Sequence, residues 1–180
     1  EPDAFVVMTG LGSMGPSIGA AIGAKLAHPD RAVAAIVGDG CFAMNGFEIA
    51  TAVAERLPIR IFVFNDNRLG MVENGHEKVY GRRPDYSTGA LDVCAIARGL
   101  GAETLRIDGP GQLAVIAELL RDAAGPVVID VQIDPAIALP KRDRVAAMGA
   151  GPQTAAPPAP PHLPPPPKPR RRRPTLRLVN

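Results

Sequence analysis

Residues 1–139 predict an α/β domain with a parallel sheet flanked by helices, and residues 140–180 predict a disordered Pro/Arg-rich tail. Two observations carry the fold class. Short β-branched runs alternate with longer stretches of helical periodicity, and the runs AVAAIV and IRIFVF are apolar at every or nearly every position. Such runs belong to strands covered on both faces, the usual condition of a parallel sheet. A third observation bounds the domain: proline dominates residues 152–174, which end in Arg170–Arg173, a composition that builds no core.

Taken in order, the expected strands are Ala4–Met8, Ala32–Val37, Ile59–Phe64, Glu103–Ile107 and Val127–Ile133. The expected helices are Ile18–Ala27, Gly46–Leu57, Leu91–Leu100 and Gln112–Ala123. On the second helix Phe47, Ala50, Val53, Ala54 and Leu57 share one stripe, which predicts its buried face. The order β-α-β-α-β, then a loop, then α-β-α-β calls for right-handed crossovers in one sheet. Residues 68–90 interrupt the rhythm with a polar stretch read as a long loop, and a loop that long in a compact domain is usually functional.

Charge is divided along the chain. Residues 1–139 hold 11 Lys/Arg against 17 Asp/Glu, a net of −6; residues 140–180 hold 9 against 1, a net of +8. The basic balance belongs to the tail, so nucleic acid is not expected as a partner of the folded part. No apolar run approaches the ~18 residues of a membrane span. Cys41 and Cys94 lack metal-site spacing and read as buried thiols of a reducing compartment, and the three histidines are far apart. The acidic start Glu1-Pro2-Asp3 has no signal-peptide core, so a cytoplasmic location is expected. The first residue is not Met, which suggests part of a longer chain.

Two glycine motifs are candidates for chemistry. Gly10, Gly12 and Gly15 form G-x-G-x-x-G between a strand and a helix, the fingerprint of an NAD(P)-dependent oxidoreductase. That fingerprint also wants an acid ending the next strand, ~20 residues on. Asp39 lies 29 residues past Gly10, and Asp30 precedes the strand. A plain strand-to-helix turn and a different cofactor remain open readings. The second motif is Gly38-Asp39-Gly40 at the end of one strand, with Asn65-Asp66-Asn67 at the end of the next. Ligands of open parallel sheets bind at that edge, so one crossover brings Asp39 and Asp66 to one site. Gly40 permits close backbone approach to an anion, and a following helix would aim amides at it. Two oxygen ligands and a phosphate-bearing partner suit Mg²⁺.

The spacing resembles the thiamine-diphosphate enzyme family, in which G-D-G is followed one crossover later by an Asn pair. GLGSMGPSIGAAIGAKLAHPD, GDGCFAMNGFEIATA and LPIRIFVFNDNRLGMVENG carry the resemblance in order and spacing, closest to the acetolactate-synthase-like branch. It implies a thiamine-diphosphate-binding fold over about residues 8–135. It also implies Mg²⁺ held by Asp39, the side chain of Asp66 and the backbone carbonyl of Arg68. The cofactor contacts it implies are Gly12, Ser13, Met14, Gly38, Asp39, Gly40, Cys41, Asp66, Gly70, Met71 and Val72. Among them, the Gly12 carbonyl would take the aminopyrimidine amine, Met14 would wedge beneath the bent cofactor, and the Gly40–Cys41 backbone would meet the diphosphate. Met71 and Val72 would line the reacting side. The implied activity is decarboxylation or carboligation of 2-oxo acids.

The resemblance places no catalytic residue in this chain. The glutamate that protonates the aminopyrimidine is expected on a pyrimidine-binding domain, on the same longer chain or on a second subunit of a homo- or hetero-oligomer. Position 66 is Asp where the family more often has Asn, and Gly75 stands where acetohydroxyacid synthases carry a pocket-shaping Trp. Taken singly, Asp39 reads as a turn residue, Met14 and Met71 as core filler, the Cys41 thiol as incidental and His76 as solvated. The tail has an alternative reading of its own, as a docking segment for aromatic grooves or nucleic acid.

Overall fold

The computed structural model describes residues 5–7, 11–113, 116, 120 and 123–137. Four parallel strands form one sheet in the order β1-β2-β4-β3, with β1 at Val33–Gly38, β2 at Ile59–Asn65, β3 at Glu103–Ile107 and β4 at Val127–Gln132. These match four of the expected strands within a residue or two. The fifth, Ala4–Met8, is partly outside the described residues; Phe5, Val6 and Val7 lie in no ladder and are exposed. A strand needs a hydrogen-bonding neighbour, and none of the described residues pairs with this stretch.

The register sorts the pleat. Ala35 pairs with Ile61, Val37 with Val63, and Ile61 with Val128, so these side chains share one face. That face packs against Ile18, Ala21 and Ile22 of helix α1 (Ser17–Ala27), Phe42 of α2 (Asp39–Asn45), Ile49 and Ala52 of α3 (Ile49–Ala54), and Val93 and Ala97 of α5 (Val93–Gly99). On the opposite face Ile107, Val127 and Ile129 pack with Ile116 and Leu120. The expected helix Gln112–Ala123 lies largely outside the described residues; Leu113, Ile116 and Leu120 are helical. Two-sided coverage is incomplete at the β1 edge among the described residues, where Ile36 is 62% exposed.

Local chemistry explains the element ends. The buried residues of α1, namely Ile18, Ala21, Ile22 and Lys25, follow i, i+3, i+4, i+7 spacing. The Lys25 ammonium donates to the carbonyls of Pro29 and Arg31, both at 2.7 Å, and so satisfies the loop leaving the helix. Asp92 caps α5 by accepting from the Ala95 amide at 2.8 Å. Arg60 of β2 donates to the carbonyls of Leu120 at 2.9 Å, Ala123 at 3.1 Å and Gly125 at 3.2 Å, tying the chain entering β4 to the sheet. Burial, then the neighbouring Asp130 carboxylate, push the Cys94 thiol up, so it stays protonated.

Two expectations are corrected. The expected helix Gly46–Leu57 is the second half of a longer helical run that starts at Asp39, passes through a 3-10 turn at Gly46–Glu48 and ends at Ala54. Its buried residues are Asp39, Gly40, Phe42, Gly46, Ile49 and Ala52, whereas Phe47 is 72% exposed and Ala50 and Ala54 are also exposed. The 3-10 turn shifts the phase of the face, which a pure 3.6-residue count misses. The segment 68–90 holds a further helix, α4 (Gly70–Tyr80), closed by Gly81 at φ 64°. Its only buried residue is Glu73, so no apolar stripe betrays it. No helix among the described residues is long and apolar enough to cross a membrane.

Candidate functional site

Adjacent strands β1 and β2 run parallel with Gly38 opposite Phe64, so Asp39 and Asp66 leave the sheet side by side at its C-terminal edge. Asp39 is the first residue of α2 and 4% exposed. Its Oδ1 accepts from the Gly40 amide at 2.7 Å and its Oδ2 from the Arg68 amide at 3.1 Å. Burial raises the Asp39 pKa above the usual carboxylate range; the Asp66 charge raises it further, while the Gly40, Arg68 and Asn67 amides pull it back. A buried carboxylate facing a second one is costly unless a cation joins them.

Two glycines are closely packed at this edge. A Cβ on Gly40 would come within 2.5 Å of Leu69 Cδ2 and 2.9 Å of Met14 Cε, the ends of two flexible side chains that would have to shift. Gly15 has φ 99°, and a Cβ there would overlap Asn45 Oδ1 at the end of α2. Gly15→Ala is expected to cost about 1–3 kcal/mol, read as a lower urea midpoint, because backbone strain and overlap act together. Gly15 of the first motif thus serves close packing of the turn on α2, whereas a Cβ on Gly12 would meet open space. Gly10 lies outside the described residues.

The structure brings Met14, Gly38, Asp39, Gly40, Asp66, Arg68 and Gly70 to one neighbourhood. Gly70 belongs with them because a Cβ on it would sit 2.7 Å from Asp66 Oδ2. Gly12 (φ 64°) and Ser13 lie on the exposed turn before α1, and Cys41 is half-buried one residue past Gly40. Met71 and Val72 are exposed on the first turn of α4. His76 stacks on Tyr80 with ring centroids 4.6 Å apart and faces the Arg82 carbonyl at 3.1 Å, away from the acidic pair's hydrogen bonds. No group of three or more His, Cys, Asp or Glu suited to a metal occurs among the described residues. What the described residues bring together at this edge is a pair of carboxylates, Asp39 and Asp66, a chemistry that hard cations accept.

Sequence reasoning missed the support beneath this edge. Asn65 is buried, donates to Asp130 Oδ1 at 3.0 Å and accepts from the Asn67 amide at 3.2 Å. Gln132 donates to the same Asp130 oxygen at 2.8 Å, and Arg106 Nη1 lies 3.6 Å from Asp130 Oδ2. Asn67, at φ 55°, accepts from the Leu91 amide at 3.1 Å. The polar residues at 65 and 67 thus shape the turn that presents Asp66. A charged residue flanked by Val127, Val128, Ile129 and Val131 in β4, Asp130, was the available signal.

Comparison with known proteins bears directly on this arrangement. The family model described as thiamine pyrophosphate enzyme, C-terminal TPP binding domain, matches residues 1–131. Acetolactate synthase of Bacillus subtilis (strain 168) is 36% identical over 134 residues, 74% of this chain and 24% of that protein. The acetolactate synthase large subunit of Pyropia yezoensis is 35% identical over 127 residues, 69% of this chain and 22% of its own length. Acetolactate synthase isozyme 2 large subunit of Escherichia coli (strain K12) is 33% identical over 138 residues, 74% and 25% respectively. The chain spans about a quarter of the length of these relatives. With the Gly38–Gly40 and Asn65–Asn67 turns inside the matched residues, the chain belongs to the thiamine pyrophosphate enzyme family, through that family's C-terminal cofactor-binding domain and on the side of the acetolactate synthases.

Proposed function

We propose that this chain anchors thiamine diphosphate through Mg²⁺ in an enzyme acting on 2-oxo acids by decarboxylation or carboligation. The observation that carries the reading is the buried Asp39 carboxylate beside Asp66 at the ends of adjacent parallel strands. Asp39, Asp66 and the Arg68 carbonyl would hold the cation, each Asp39 oxygen keeping a lone pair beyond its amide bond. The Gly40–Cys41 backbone at the start of α2 would meet the diphosphate, and Gly12, Ser13 and Met14 would sit against the rest of the cofactor. Met71 and Val72 would line the reacting side. Once bound, thiamine diphosphate supplies the carbanion chemistry, and the protein supplies binding, orientation and electrostatics.

A pyrimidine-binding domain, on the remainder of a longer chain or on a second subunit, would bring the glutamate that this chain lacks. Gly75, in place of a bulky residue, would leave the second-substrate side of α4 open.

Calorimetric titration with thiamine diphosphate tests the proposal. Binding is expected with Mg²⁺, to fall at least about 100-fold with chelator, and to be absent for NAD. Binding indifferent to chelator would overturn it. Asp66→Asn retains an oxygen donor and removes the charge that raises the Asp39 pKa. The variant is expected to bind within about tenfold of the parent, and its Asp39 carboxyl to titrate lower by carbon-detected NMR.

A further inference from the structure

Helix α4 turns a glutamate, not an apolar residue, toward the interior. The Glu73 side chain is 8% exposed, and the two arginines that meet it come from different segments. Arg83 Nε donates to Oε1 at 2.8 Å, and Arg68 Nη1 forms an ion pair with Oε2 at 3.2 Å. Arg83 also reaches Glu77 at 3.6 Å. A buried carboxylate without such partners would be strongly destabilising, so the fold holds both arginines to it.

Arg68 links this cluster to the acidic pair, because its amide is the donor to Asp39 Oδ2. Arg83 belongs to the segment that returns after α4 and pairs with the Asn67–Leu69 turn. The Leu69 amide donates to the Tyr86 carbonyl at 3.0 Å, the Thr88 amide donates to the Asn67 carbonyl at 2.9 Å, and Arg68 and Ser87 form an antiparallel bridge. Arg68 is thus held at its side chain by Glu73 and at both neighbours by the returning strap. Among the described residues, Glu73 forms an ion pair with both arms.

We propose that Glu73 is a positioning residue: through Arg68 and Arg83 it locks the Asn67–Leu69 turn, and so the Asp39 carboxylate, in place before any ligand arrives. The inference rests on the metal-anchoring reading above for its consequence, while the lock itself is a property of the metal-free protein. A turn held this way loses little freedom on binding, and loss of such supporting contacts typically weakens a metal site by about 10–100-fold.

The test uses the intact protein and its Glu73→Gln variant, which keeps the shape and removes the charge. Amide hydrogen exchange of the metal-free protein reads the lock at Leu69 and Thr88, and Mn²⁺ titration followed by electron paramagnetic resonance reads the pocket. Glu73→Gln is expected to speed exchange at both amides about tenfold and to weaken Mn²⁺ binding by about 10–100-fold. Arg83→Met removes the more exposed arm (43% exposed side chain) and should give the same pair of changes, so the idea is testable even if Glu73→Gln folds poorly. Arg83→Lys, which keeps a donor for the single Nε bond, should recover part of both. Unchanged exchange overturns the lock. Faster exchange with unchanged Mn²⁺ affinity overturns the positioning role. Absence of Mn²⁺ binding in the parent protein overturns the metal reading instead, and exchange still decides the lock.

Discussion

Asp39→Asn is expected to weaken Mg²⁺-dependent thiamine diphosphate binding by more than the 10–100-fold that changes to supporting residues typically cost. An amide supplies one neutral oxygen where the carboxylate supplied a charge, and Asp66 alone is left to neutralise the cation. In the metal-free fold the same substitution removes a buried charge but leaves one of the Gly40 and Arg68 amides facing an NH2 group instead of an oxygen. Burial, and then Asp66, raise the Asp39 pKa, so the folded state holds that proton more tightly than the unfolded state does. Stability then falls as pH rises from the ordinary carboxylate range, about 3.9, through the folded value, and the penalty is complete above it. The metal-free parent is therefore expected to lose melting temperature across that window, and Asp39→Asn to lose less across it. Thermal scans with chelator at several pH values, paired with calorimetry, measure both halves. Equal losses across the window in parent and variant would show that Asp39 is not the group whose charge the fold disfavours.

Ile61→Ala should produce the largest loss of stability, about 2–5 kcal/mol. Ile61 is fully buried at the centre of β2, flanked in register by Ala35 on β1 and Val128 on β4, within the same core as Ile18 and Phe42. Removing its side chain opens a cavity at a point where rigid strands on both sides limit collapse. Against a typical domain stability of about 5–15 kcal/mol, that is a large share. Ile36→Ala makes the control: the same chemistry on the exposed edge should stay within about 0.5 kcal/mol. Urea midpoints at unchanged slope distinguish the two. Equal losses at both positions would mean that the β1 face is covered in solution.

Much of this was readable in the chain because the signals were local. The four strands are β-branched runs, and the Gly38-Asp39-Gly40 and Asn65-Asp66-Asn67 turns lie where such strands end. What escaped was non-local. The face of the run through α3 depends on a 3-10 turn whose phase the sequence does not announce, so Phe47 and Ala54 read as inward by periodicity and lie outward. Helix α4 contains two glycines and buries a glutamate, so both propensity and hydrophobic periodicity point away from it. Its buried glutamate is met by Arg68 and Arg83, 5 residues before and 10 after Glu73, partners that only the folded chain brings together. The acidic pair was legible as a pair, but its supports, Asn65, Asp130 and Gln132, interact through side chains of two neighbouring strands.

Strand β2 works at both ends. Its last residue, Asn65, braces the turn that carries Asp66, and near its beginning Arg60 holds three carbonyls of the chain entering β4. The two jobs are separated by the length of the strand, with Ile61 and Val63 in the core between them. Changes between Gly70 and Gly89 therefore leave the fastening at the far end untouched. At Arg60 even lysine is a poor exchange: its donors sit on one atom, whereas the guanidinium fork reaches three separate carbonyls, so the far side of the sheet would be unfastened.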